Sequence, residues 1–191
     1  MSITWRETRR RLREDRERLE QWGQRHSAGG APSVWLSPSY WCVGLHRLSH
    51  FYFVGGHRLL ARAFWHLNLL LTGADVSPNS QIGGGWVVAY PVGIVIVGKI
   101  GRRCTMRGQN TVGGGRGNRD IGGGPGLPIL GDDVELEVGS LVLGPVVVGH
   151  DVRIGPHCVV LGDVPDHAIV APNSSTVIVE HSRSCELPVA Q

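Results

Sequence analysis

Between Val76 and Val160 aliphatic side chains return every six residues: Val76, Ile82, Val88, Ile94, Ile100, Met106 and Val112, then, after a gap, Leu130, Leu136, Val142, Val148, Ile154 and Val160. Neither an amphipathic helix, with its period of about 3.6, nor an alternating strand, with its period of about 2, accommodates such a lattice. Short strands joined by tight turns do, with the lattice residues stacked inward as the core of a solenoid. Glycine directly follows the lattice residue in Ile82-Gly83, Ile100-Gly101, Val112-Gly113, Leu130-Gly131, Val148-Gly149 and Ile154-Gly155. That supplies the permissive backbone the turns need. The chain is therefore expected to be mainly β, a parallel β-helix over residues 74–178, with a Gly-rich excursion at 113–127 and a C-terminal tail at 179–191.

Residues 1–73 follow a different period and are expected to be an α-helical segment. Trp5, Leu12 and Leu19 lie seven apart, with Trp22 three beyond, and form a thin apolar seam on a helix over residues 2–26. The seam suits either a partner helix or the chain's own domain. Residues 27–33 read as a linker, Gly55-Gly56 as the break between two further helices, and Gly73 as the stop of the second. Eight arginines face five acids before residue 26, which leaves the whole chain only mildly basic at +3. Without interleaved aromatics this is not a nucleic-acid signature. Charged residues interrupt the apolar stretch 34–71, so no span of about 20 apolar residues exists, and no membrane partner is expected. Cys42, Cys104, Cys158 and Cys185 form no CxxC pair; free thiols in the cytoplasm are the expected state.

The repeat and the wording of its segments resemble the hexapeptide-repeat acyltransferases, in particular the serine O-acetyltransferase branch. His46-Arg47-Leu48-Ser49-His50 is similar to that branch's aromatic-Arg-Ile-Ala-His stretch, and Gly73-Ala74-Asp75-Val76-Ser77-Pro78 to its Gly-Ile-Asp-Ile-His-Pro. Tyr90-Pro91-Val92-Gly93-Ile94-Val95-Ile96, Val142-Leu143-Gly144-Pro145 and Val159-Val160-Leu161-Gly162-Asp163-Val164-Pro165 continue the likeness. The resemblance implies a left-handed coil, against the usual right-handed crossover, and assembly as a homotrimer or a dimer of trimers.

It also implies where chemistry would sit. In the branch a histidine beside the Gly-Ile-Val stretch takes the acceptor's proton, and an aspartate fifteen residues earlier orients it; here those positions are Tyr90 and Asp75. A phenol, ordinarily titrating near ~10, is a weak general base at neutral pH. Ala89 stands where the branch has an acid, and Gly126-Leu127-Pro128 where it has Arg-His-Pro. Catalytic candidates are therefore Tyr90, Asp75 and His50, the last also readable as a satisfied histidine under a helix. Gly139, Ser140, Arg116 and Arg119 are candidate donor contacts. Along the family's pantetheine channel Glu137, Pro156 and His157 replace small residues, and Thr176 replaces an arginine. His150, His157 and Cys158 match no zinc spacing, so neither a metal nor a tightly bound cofactor is expected.

Two functions fit these departures. The first is a divergent acyltransferase moving an acyl group from acyl-coenzyme A, or from an acyl carrier protein's thioester, to a small amine or hydroxyl acceptor. The second is a non-catalytic homologue partnering an active, related acyltransferase.

Overall fold

The computed structural model describes residues 3–26, 34–115 and 117–172. Helix α1 (Trp5–His26) is followed, after a short 3-10 turn, by α2 (Pro38–Val54) and α3 (Arg58–Thr72). Ser37 caps α2 by accepting the Ser39 amide, with Pro38 in the first turn, where its missing N–H costs nothing. Gly73 ends α3 in the left-handed conformation at φ 72°, which a side chain would strain.

Among the described residues, fourteen short strands then wind into three parallel sheets. The first face stacks β1 (Asp75–Val76), β4 (Val95–Ile96), β7 (Thr111–Gly113), β10 (Leu141–Leu143) and β13 (Val159–Val160). The second stacks β2 (Gln81–Ile82), β5 (Lys99–Ile100), β8 (Ile129–Leu130) and β11 (Val147–Val148). The third stacks β3 (Val87–Val88), β6 (Thr105–Met106), β9 (Glu135–Leu136), β12 (Arg153–Ile154) and β14 (Ile169–Val170). None of the thirteen lattice residues is more than 5% exposed. Between them Asn110 is fully buried and satisfied: its Oδ1 accepts the Gly108 amide at 2.9 Å, and its Nδ2 donates to the Glu137 carbonyl at 2.6 Å and Ser140 Oγ at 2.9 Å.

One lattice residue is displaced. Val76 and Val112 both pair with Ile96, two residues beyond the expected Ile94. The turn after β3 holds two extra residues, and the turn between β4 and β5 is shorter by the same number. Ile94 remains buried, one step before the strand, where its carbonyl accepts the Asp75 amide at 2.8 Å.

The helices close the N-terminal end of the coil. α1 docks its seam on its own domain: Leu19 is buried, and Trp5 meets Phe51 of α2 edge-on with ring centroids 5.3 Å apart. Arg18 donates to the Gly85 carbonyl at 2.6 Å and to Thr105 Oγ1 at 2.9 Å. The strongest tie is a buried ion pair, in which Arg47 Nε donates to Asp15 Oδ2 at 2.8 Å with both side chains at most 3% exposed. No helix among the described residues is long and apolar enough to cross a membrane. Cys42, Cys104 and Cys158 are buried free thiols, and burial pushes Cys42 and Cys104 up to about 12, far from nucleophilic use. The linker at 27–33 and Cys185 lie outside the described residues.

Candidate active site

The widened turn between β3 and β4 places Tyr90 outside the coil. Pro91 fixes its own φ, and Gly93 turns the chain at φ 76° while its amide donates to the Gly73 carbonyl at 3.0 Å. Tyr90 is left 68% exposed and Val92 67% exposed. One coil further on, Gly108 lies under Tyr90 at φ 134°; a Cβ there would stand 3.1 Å from Tyr90 Cβ. A side chain at Gly108 would thus be strained and would press on the tyrosine.

Asp75 opens β1, the strand that pairs with β4, so the turn carrying Tyr90 and the aspartate meet at the same end of the first face. No hydrogen bond joins the two side chains among the described residues. Asp75 Oδ1 instead accepts Trp65 Nε1 of α3 at 2.8 Å. Trp65 escaped the sequence reading because its partner lies across a helix end and a turn, where no period connects them.

His50 is elsewhere. It is buried on α2, its Nδ1–H donates to the Pro78 carbonyl at 2.9 Å in the turn between β1 and β2, and burial lowers its pKa. That turn is at the opposite edge of the first face from Tyr90. His46 beside it is fully buried against Trp86, ring centroids 5.7 Å apart, and burial, then the Arg47 and His50 charges, hold it well below the ordinary histidine value.

Gly139 occupies the position of Gly93 two coils further on, with φ 72°. The exposed His157 ring of the next coil covers it so closely that a Cβ on Gly139 would collide with the ring. Ser140 points into the coil and is fully buried on Asn110. Glu137 is held by Arg107 at 3.2 Å, and Arg107 also reaches Glu135 at 2.6 Å, so the carboxylate lies in an ion-pair network along the third face. Arg119 is exposed in the Gly-rich loop, where its carbonyl accepts the Gly126 amide at 3.0 Å; Arg116 and Thr176 lie outside the described residues. The loop leaves β7 toward β8, at the edge of the first face away from Tyr90. Among the described residues no group of three or more His, Cys, Asp or Glu side chains is placed to hold a metal ion.

A three-faced parallel coil on a six-residue lattice, capped by helices, is the architecture of the hexapeptide-repeat acyltransferase class. No protein-family model matches the chain. Over 147 residues it is 35% identical to the serine acetyltransferase of Mycobacterium tuberculosis, covering 76% of this chain and 62% of that one. Over 150 residues it is 31% identical to the serine acetyltransferase of Helicobacter pylori, covering 76% of this chain and 84% of that one. The crystal structure of Entamoeba histolytica serine acetyltransferase 1 in complex with L-cysteine matches with a TM-score of 0.75 at 27% identity, covering 86% of this chain and 63% of that one. The chain belongs to the serine acetyltransferase family. It spans about three-fifths of the length of the first of these relatives.

Proposed function

We propose that the chain is a divergent acyltransferase on a left-handed coil, transferring an acyl group from a thioester to a small acceptor, in which Tyr90 and Asp75 stand where the family uses a histidine and its orienting aspartate. The observation that carries this reading is the corner itself: two inserted residues, Gly93 at positive φ and Gly108 without a side chain together hold Tyr90 outside the coil, at the end of the first face where the β1 aspartate begins. His157 does not take over the base's role. It stands three coils beyond Gly93, roughly 14 Å at ~4.8 Å per coil. An amine is the favoured acceptor, because its lone pair attacks the thioester carbonyl without prior conversion to an alkoxide. The new C–N bond forms as C–S breaks; the amine's proton leaves to solvent and the thiolate is released.

The Gly-rich loop and Tyr90 lie at opposite edges of the first face, so in a homotrimer, or a dimer of trimers, they would share a cleft only between neighbouring copies. Coenzyme A thioesters are expected to bind weakly, since the His157 ring fills the space over Gly139 and Glu137 adds bulk beside it. A carrier protein's thioester avoids the adenosine end, and its usually acidic surface complements the arginines of α1.

The test is turnover with acetyl-coenzyme A and an acyl-carrier thioester against a panel of amines and alcohols, with calorimetry for each donor. Tyr90→Phe should lower turnover about tenfold or more with the fold intact. Turnover unchanged in both Tyr90→Phe and Asp75→Asn moves the chemistry away from this corner. No turnover and no donor binding would leave the non-catalytic partner role as the reading.

A further inference from the structure

Helices α1, α2 and α3 lie side by side across the end of the coil. α1 meets α2 through Trp5 and Phe51, and α2 meets α3 through Tyr52 and Phe64, whose rings stack 5.4 Å apart. α2 turns Val43, His46 and Arg47 toward the first coil, and α3 buries Ala61, Asn68 and Thr72. The opposite side of α3 is uncovered and mostly apolar: Leu59 is 84% exposed, Leu70 82% and Leu71 60%, with Leu60 and Leu67 beside them, and the exposed basic side chains of His66 and Arg62 border the leucines. Trp41 on α2 is 51% exposed. On α1 the exposed Arg6, Arg9 and Arg13 follow one another at i, i+3 and i+7, and none has an ion-pair partner among the described residues. Between Val34 and Ala74 there is no aspartate or glutamate at all.

We propose that this helical layer docks on an anionic lipid surface, with the α3 leucines and Trp41 entering the acyl boundary and the α1 arginines meeting the headgroup phosphates. Leucines with tryptophan on one side and arginines close by is the chemistry of a helix lying in a membrane interface. Crossing a bilayer takes an apolar run of about 20 residues; a helix that lies on one needs no such run. Charge decides between a bilayer and a second copy of the chain. A second copy's helical layer offers these arginines only the few carboxylates of its own α1, already facing arginines there, and none from its α2 and α3, whereas an anionic leaflet offers phosphates at every position.

The full chain is sedimented with vesicles of equal parts phosphatidylglycerol and phosphatidylcholine, and with vesicles of phosphatidylcholine alone, at low and high salt. Binding is expected to the first and not the second, weakening as salt screens the arginines. The triple variant Arg6→Gln, Arg9→Gln, Arg13→Gln should bind roughly a hundredfold more weakly, at about fivefold per arginine. Leu70→Asp with Leu71→Asp should abolish binding while the circular dichroism spectrum stays unchanged, because both side chains are already in water. Equal binding to both vesicles, or to neither, overturns the proposal. A native mass that rises with protein concentration and falls back in the Leu70→Asp, Leu71→Asp variant, without vesicle binding, would assign the face to a second copy instead.

Discussion

Asp15→Asn removes the charge from the tie between helix and coil. Arg47 is fully committed: besides Asp15 it donates to the Ile82 carbonyl at 2.5 Å and the Gly83 carbonyl at 2.6 Å, while Asp15 Oδ1 also accepts the Trp86 amide at 2.8 Å. Asparagine keeps a carbonyl oxygen for the Trp86 amide, but it removes the negative charge and turns the oxygen that accepts Arg47 Nε into a donor. The guanidinium is then left buried and uncompensated, a loss of about 3–5 kcal/mol. Asp15→Ala also orphans the Trp86 N–H, a further cost of about 1–3 kcal/mol. For a chain of this size ~4 kcal/mol corresponds to a fall in Tm of about 8–16 °C. The double variant Asp15→Leu, Arg47→Met should recover part of that loss, since no charge stays buried; the Gly83 carbonyl and the Trp86 N–H lose their partners, which keeps the recovery incomplete, while Arg11 still donates to the Ile82 carbonyl. Calorimetric melting of the wild type, Asp15→Leu, Arg47→Met and the double variant measures the coupling. An Asp15→Asn shift below about 3 °C would mean that water reaches the pair, and the argument from desolvation would fail.

Ile100→Asp should unfold or aggregate the protein, because its 2%-exposed side chain faces a core with no partner for a carboxylate; an unchanged melting curve would show that the coil is misregistered. His46 has both ring nitrogens unpartnered among the described residues and a folded pKa well below its ordinary value. The unfolded chain therefore takes up a proton that the folded chain refuses as pH drops through ~6.5, so stability falls on acidification by up to about 1.4 kcal/mol per pH unit. In urea titrations from about pH 7 to about pH 5, His46→Leu should flatten that slope by one proton; an unaltered slope would place the acid sensitivity elsewhere, with His50 the next group to examine.

The lattice was legible because its period belongs to no other regular structure, and burial follows it at all thirteen positions. Ile94 was misplaced for a specific reason. An insertion of two residues before β4 and an equal shortening after it restore the phase by Ile100, so the downstream repeat carries no trace of the shift. The Arg47 stretch was recognisable by resemblance, but its role was not, because its counter-charge sits in α1 on a seam that otherwise reads as apolar. Asp15 and Thr8 are both buried there, and no helical periodicity distinguishes them from exposed polar residues. Trp65 is the same case beside Asp75. An indole on one helix and a carboxylate beyond its end meet only once Gly73 has turned the chain.

That indole bears on which acceptor the corner can serve. Trp65 Nε1 can only donate, so it occupies Oδ1 of Asp75 and leaves Oδ2 without a partner among the described residues. An ammonium acceptor would be attracted to that oxygen, but it attacks a thioester only after losing its proton, and nothing at the corner need act as a histidine would. For an amine, kcat/KM should therefore rise about tenfold per pH unit until the acceptor's own pKa is reached, following the acceptor when amines of different basicity are compared. Tyr90→Phe should lower the whole profile without moving its inflection. Asp75→Asn should raise KM for amines more than for alcohols, since it removes the charge that attracts the ammonium. A profile that levels off near pH ~6.5 whatever the amine would reveal an imidazole in the reaction and refute the assignment of this corner as one that works without a base.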